Sequence, residues 1–261
     1  NELGFDETGS NWTAIGTRSN PYTGKFNGNG FTINNLIINK KDEDTQGLFG
    51  QIKEAKIENV NISKASIIGK SSIGILTGLS YYSNITNCHI TNSKINLFSI
   101  AGGLVGASVE SNIYDSSTNN IILENNSTTS HEFGGIIGRA YLSDSKIINV
   151  SSSNININFE SKNNGLFIGS VFSNNDKTEL TNCTYKPDTK NTPAIGSGTK
   201  YDIKKVETNP YLPQEISINT NLQVGIDSSE NSVISVDTGF SIGDFNISVL
   251  NDFSARNALD T

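Results

Sequence analysis

"GGLVG", residues 102–106, belongs to a phrase that recurs along this chain, and the recurrence decides the fold. Versions of it stand at 47–50 (GLFG), 74–78 (GILTG), 134–138 (GGIIG) and 165–169 (GLFIG), starting about 27 to 32 residues apart. A second phrase trails each one: IENVNI at 57–62, ITNCHI at 85–90, IYDSST at 113–118, IINVSS at 147–152 and LTNCTY at 180–185. Before them FNGNGFTINNLII, 26–38, carries the same alternation without the Gly-Leu phrase.

Within the trailing phrases apolar and polar residues alternate, as in Ile57, Asn59, Val60, Ile62 or Ile85, Asn87, Cys88, Ile90. A period near two marks a strand with one buried face. The interruptions are Gly, Asn and Ser, which tolerate left-handed turns. One unit is too short to bury its apolar side alone, whereas stacked units bury a continuous column of Ile, Leu, Val and Phe. Two or three short strands in such a unit make one coil of a parallel β-helix. Propeller blades need a longer repeat and four antiparallel strands, and rank second.

Composition agrees. Of 261 residues 34% are hydrophobic and 17% charged, with 24 Gly and 5 Pro. That is too patterned for disorder and too lean for a bulky compact core. The net charge of −7 comes without a basic block, and Arg18, Arg139 and Arg256 are scattered, so nucleic acid is not an expected partner. No apolar run reaches bilayer-crossing length, so no membrane span is expected. The chain starts at Asn1 and holds no Met, as a piece cut from a longer protein would.

The repeats resemble the GLUG motif of bacterial surface and secreted proteins, named for its Gly-Leu-Gly phrase. NWTAIGTRSNPYTGKFNGNGFTINNLIINKKDEDTQGLFGQI, 11–52, resembles the lead-in of that family: Trp-x-x-Ile-Gly, Phe-x-Gly-x-Gly, then Gly-Leu-Phe-Gly. The likeness covers residues 1–185 and implies a right-handed parallel β-helix used for display or adhesion, with no reaction attached. In such a coil stacked Asn residues hydrogen-bond along a ladder and Gly permits tight corners. The Asn wealth is accordingly read as architecture, and sequons such as those at Asn11, Asn61 and Asn84 as products of that bias.

Few residues carry candidate chemistry. Cys88 and Cys183 hold the same place in two TNC phrases three coils apart, which is roughly 14 Å at strand spacing. A disulfide needs Cα atoms within about 7 Å, so two buried free thiols in Val-sized slots are expected. His89 alternates with Cys88 and Ile90 and is expected to face outward; His131 falls in the polar run NNSTTSHEFGG. No third nitrogen or sulfur ligand stands at a useful spacing, so neither a metal nor a cofactor is expected, and no catalytic residue is assigned. Polysaccharide lyases and hydrolases also use β-helices, but need clustered carboxylates. The densest acidic run, KKDEDTQ at 40–46 with Asp42, Glu43 and Asp44, reads as a solvated loop. Asp115 and Asp144 sit at different offsets of neighbouring units, and Trp12 reads as an end cap.

After Tyr185 the rhythm breaks. Residues 186–215 hold four of the five prolines and read as a linker or irregular cap. The following segment, 216–261, resembles bacterial flagellin. LQVGIDSSENSVISVD, 222–237, is similar to its Gln-(Ile/Val)-Gly-x-(Asn/Asp) stretch, and FNISVLNDFSARNALDT, 245–261, to the approach to its C-terminal rod helix. The resemblance implies a small β-rich segment leading into a helix begun near Phe253 and cut short at Thr261. It implies a structural subunit of the flagellar filament, extracellular, partnered by other flagellin subunits, with the β-helix on the filament surface for adhesion or antigenic masking. The alternative is a secreted or cell-surface adhesin that binds glycans or host receptors; an enzyme acting on polysaccharide ranks third.

Overall fold

A computed structural model describes residues 8–96, 99–124, 131–172 and 177–205, and the backbone alone of 97, 125, 173, 221–224, 234–242 and 245–249. The chain divides into two units, Asn1–Leu212 and Pro213–Thr261. Among the described residues all regular structure is β.

The first unit is a parallel β-solenoid. Each full coil has four sides, more than the two or three strands expected. One coil runs through Thr77–Tyr81, Asn84–Thr86, His89–Leu97 and Ile100–Gly102 before the chain rises to Val105–Val109. Like sides stack into four parallel sheets, two of them six strands deep. Register is strict: Phe26, Ile57, Ile85, Ile113, Ile147 and Leu180 lie one above another. Ile62 and Ile90 are buried as the alternation requires, and Leu104, Ile136 and Phe167 are buried too, in a phrase whose neighbours Val105, Ile137 and Ile168 are equally buried. Burying each such side chain is worth about 1.5–3 kcal/mol against leaving it in water.

The Gly-Leu phrase has a steric cause. Its last glycine recurs as Gly78, Gly106, Gly138 and Gly169, at equivalent heights of successive coils. A Cβ on Gly106 would lie 2.5 Å from the carbonyl oxygen of Gly78, and one on Gly169 2.5 Å from that of Gly138. Neither glycine has a positive φ, so backbone approach between coils demands it rather than an unusual torsion.

The corners are set differently. Asn59, Asn87, Asp115, Asn149 and Asn182 all turn the chain between the second and third sides with φ between 48° and 57°. Asn and Asp are the non-glycine residues that enter this region most readily. A bend within the third side repeats the device at Asn35, Asn92, Asn120 and Asn154.

The stack does not stop at Tyr185. Ile195–Gly198 pairs with Ile168–Ser173, and Lys204–Lys205 pairs with Thr184–Tyr185, so part of the segment read as linker or cap is a further coil. At the other end Trp12 packs against the core and its indole Nε1 donates to the Leu48 carbonyl at 3.0 Å, on the first described coil. In the second unit Asn221–Val224, Ile234–Ile242 and Phe245–Val249 form an antiparallel three-stranded sheet. The helix expected from Phe253 lies outside the described residues.

Candidate functional site

The outward surface of the solenoid is where any function of this unit must be read, because its interior is filled by side chains. Its corners carry amide ladders. Asn59 donates through Nδ2 to Asn27 Oδ1 (3.1 Å), Asn87 to Asn59 (2.8 Å), Asn149 to Asp115 (2.7 Å) and Asn182 to Asn149 (3.1 Å). At the bend within the third side Asn120 donates to Asn92 at 2.8 Å. The ladders stand on exposed corners, not inside the coil, where their peptide turns and their side chains are both served.

One rung differs. Asp115 has no amide hydrogen to give to Asn87 Oδ1, and His89 takes over. Its Nε2 lies 2.9 Å from that oxygen, a pure acceptor, so Nε2 carries the proton; Nδ1 then accepts from Ser117 Oγ at 2.8 Å. His89 faces outward as expected, though half-buried. Burial pushes its pKa below the ordinary value, against the opposing pull of the Asp115 charge. This neutral, doubly bonded ring is a structural strut.

The remaining flagged residues are dispersed. Asp42, Glu43 and Asp44 lie in an exposed turn, and Asp115 and Asp144 occupy different corners. Cys88 and Cys183 are buried free thiols in a column with Val60 and Val150. Burial pushes both thiols up to about 12. His131 lies outside the strands, in keeping with its reading as a loop residue, yet it is buried, its ring 5.6 Å from Phe133 and 5.8 Å from Phe159. The alternation of the neighbouring coils places Phe133 inside, and the histidine follows it in. Among the described residues no three His, Cys, Asp or Glu side chains gather as a metal site.

Two features escaped the sequence reading. Tyr141 and Phe172 are exposed and stacked, centroids 5.1 Å apart at 19°, on adjacent strands of one sheet. Arg139, two residues from Tyr141, forms a forked ion pair with Glu132, and that bond raises its already high pKa. The second feature is a cleft beside Asn164, at the corner between the third and fourth sides of the coil that begins at Ile137. Its signal was available in principle. Asn164 stands in register with Phe133, Ala101 and Ile73, so a polar residue breaks an otherwise apolar column.

Comparison with known proteins gives partial likenesses. A stretch of 99 residues, 37% of the chain, is 38% identical to halomucin of Haloquadratum walsbyi. Another of 81 residues, 30% of the chain, is 35% identical to a putative Gly-rich membrane protein of Evansella cellulosilytica. These matches span 1% and 9% of the two relatives' own lengths. No protein family and no solved structure matches the chain.

Proposed function

We propose that this chain is a structural display module of an extracellular or cell-surface protein, and specifically the outer region of a bacterial flagellin. The observation that carries the display reading is the division of the solenoid into an apolar interior and an outer surface of hydrogen-bonded Asn corners. Such a surface is satisfied by its own ladders and by water, so it can stand in solvent without a covering partner. The names of the two relatives, halomucin and Gly-rich membrane protein, fit a place at or outside the cell surface. The flagellin assignment rests on the resemblance of residues 216–261, with an antiparallel sheet in that segment compatible with it. Other flagellin subunits are then the partners of the full-length protein.

The test is immunogold labelling of cells with antibodies to this chain, together with deletion of residues 1–205, the whole described solenoid, in the full-length gene. Filaments should be labelled, and should still assemble after the deletion, because coils contact only neighbouring coils. Label on the cell envelope and never on a filament overturns the flagellin assignment.

A glycan-binding adhesin is the second reading, and the exposed Tyr141–Phe172 stack favours it. Paired aromatic faces in water offer apolar area of the kind that mark binding surfaces.

A further inference from the structure

We infer that the cleft beside Asn164 binds an acidic saccharide unit. It has a volume of about 680 Å³, within the range of small-molecule sites. Ile157 at the end of its strand and Phe159 just beyond it line the cleft, with Pro193 from the coil that follows, giving an apolar wall. Lys162, Lys190 and Glu160 stand around it, two ammonium groups against one carboxylate in a chain of net charge −7.

Asn164 makes this more than a surface dent. In three successive coils its slot holds Ile73, Ala101 and Phe133, all buried core residues. The carboxamide in the fourth is itself only 7% exposed. Its Nδ2 donates to the Phe159 carbonyl at 3.0 Å, which fixes the orientation of the amide. Oδ1 is buried and has no hydrogen-bond partner among the described residues. A buried acceptor left unmet carries a desolvation cost, and an apolar side chain in this slot would carry none. Asn164 forms part of the cleft wall, so a ligand donor that parts that wall and reaches Oδ1 recovers that energy.

The required ligand therefore has a hydroxyl for Oδ1, a C–H face for Phe159 and Ile157, and a negative charge for the lysines. A sugar ring bearing a carboxylate has all three. Thr192 and Ser161 also line it; their hydroxyl hydrogens go to the Asp188 carboxylate and the His131 carbonyl, which leaves acceptor capacity for a sugar hydroxyl. The cleft does not depend on whether the chain belongs to a filament. It sharpens the adhesin reading but lies away from the Tyr141–Phe172 pair, which is on another sheet.

Titration of the whole chain with trigalacturonate, followed by calorimetry and ligand-observed NMR, tests the inference. Saturable binding is expected, and the fully methyl-esterified trisaccharide, which keeps the hydroxyls and loses the charge, should bind at least about fivefold more weakly. Lys162→Glu, at an exposed position, should weaken binding by a similar factor. Asn164→Leu restores the apolar column, so the fold should hold while binding is lost. Tyr141→Ser should leave binding intact. Absence of saturable binding, equal affinity for the ester, or unchanged affinity in both K162E and N164L overturns the inference. Loss of binding in Y141S alone would move the site to the aromatic pair and overturn it as well.

Discussion

Asn149 donates its side-chain amide to the carboxylate of Asp115 across one coil, at 2.7 Å. The bond copies those of the neighbouring rungs but ends the ladder, since a carboxylate has nothing to donate onward. Asn87 Oδ1 is served by His89 in its place. A single acid in a column of amides is thus tied to a single histidine two residues from the column.

That pairing has a pH signature. His89 has a folded pKa below its unfolded one, chiefly through burial. On acidification the unfolded chain therefore takes up a proton first, so stability is intact above the ordinary histidine pKa of about 6.5 and falls as pH drops below it. The loss levels off once the folded ring is protonated too. Urea midpoints at about pH 7.5 and about pH 5 should differ less in His89→Gln, whose amide can still donate to Asn87. An identical drop in both proteins would mean that His89 is not responsible.

Gly106→Ala separates two effects of opposite sign. Through the unfolded chain alone an alanine stabilises by about 0.4–1 kcal/mol. Here the new methyl would sit 2.5 Å from the Gly78 carbonyl, and overpacking of this kind costs about 1–3 kcal/mol. Equilibrium unfolding in urea should show net destabilisation. A stabilised variant would refute the close-approach explanation of the repeated phrase.

The corner at Glu54, Tyr82, Glu110 and Asp144 is less well matched to its backbone, with φ between 45° and 56°. Glu110 is exposed and poorly suited to a left-handed turn. Glu110→Asn should raise stability by up to about 1 kcal/mol, read from the thermal or urea midpoint. Unchanged or lower stability would show that the glutamate side chain contributes more than its torsion costs.

The two thiols should be silent in the native protein. With pKa values near 12 and no solvent access, neither Cys88 nor Cys183 should react with an aromatic disulfide reagent at about pH 8, and both should react in denaturant. Mass spectrometry without reductant should find no bridge between them. Cys88→Val, matching Val60 one coil away, should change stability by less than about 1.5 kcal/mol. Rapid native labelling would contradict the burial described for this column.

Much of this was readable beforehand, and the reasons are physical. Ile62 and Ile90 were placed by alternation because a parallel stack repeats one environment at fixed height. The count of sides per coil was not, since strands such as Ile73–Gly74 are two residues long and carry no period of their own. Ile195–Gly198 was hidden by surrounding prolines, although Gly196 keeps the glycine position. Glu54, Tyr82 and Glu110 gave no turn signal because other residue types would suit those torsions better. Asn164 was missed because an Asn among so many reads as one more corner, and only register shows it in a core slot.

Between stacked asparagines every side-chain bond described runs the same way, from the amide of the later coil to the oxygen of the earlier one. The solenoid is therefore vectorial. An edge that has already formed offers fixed acceptors, and the segment arriving next brings the matching hydrogens. Synthesis and export that proceed from the N-terminus would meet a ready template at each step, so growth by accretion is built into the grain of the ladder.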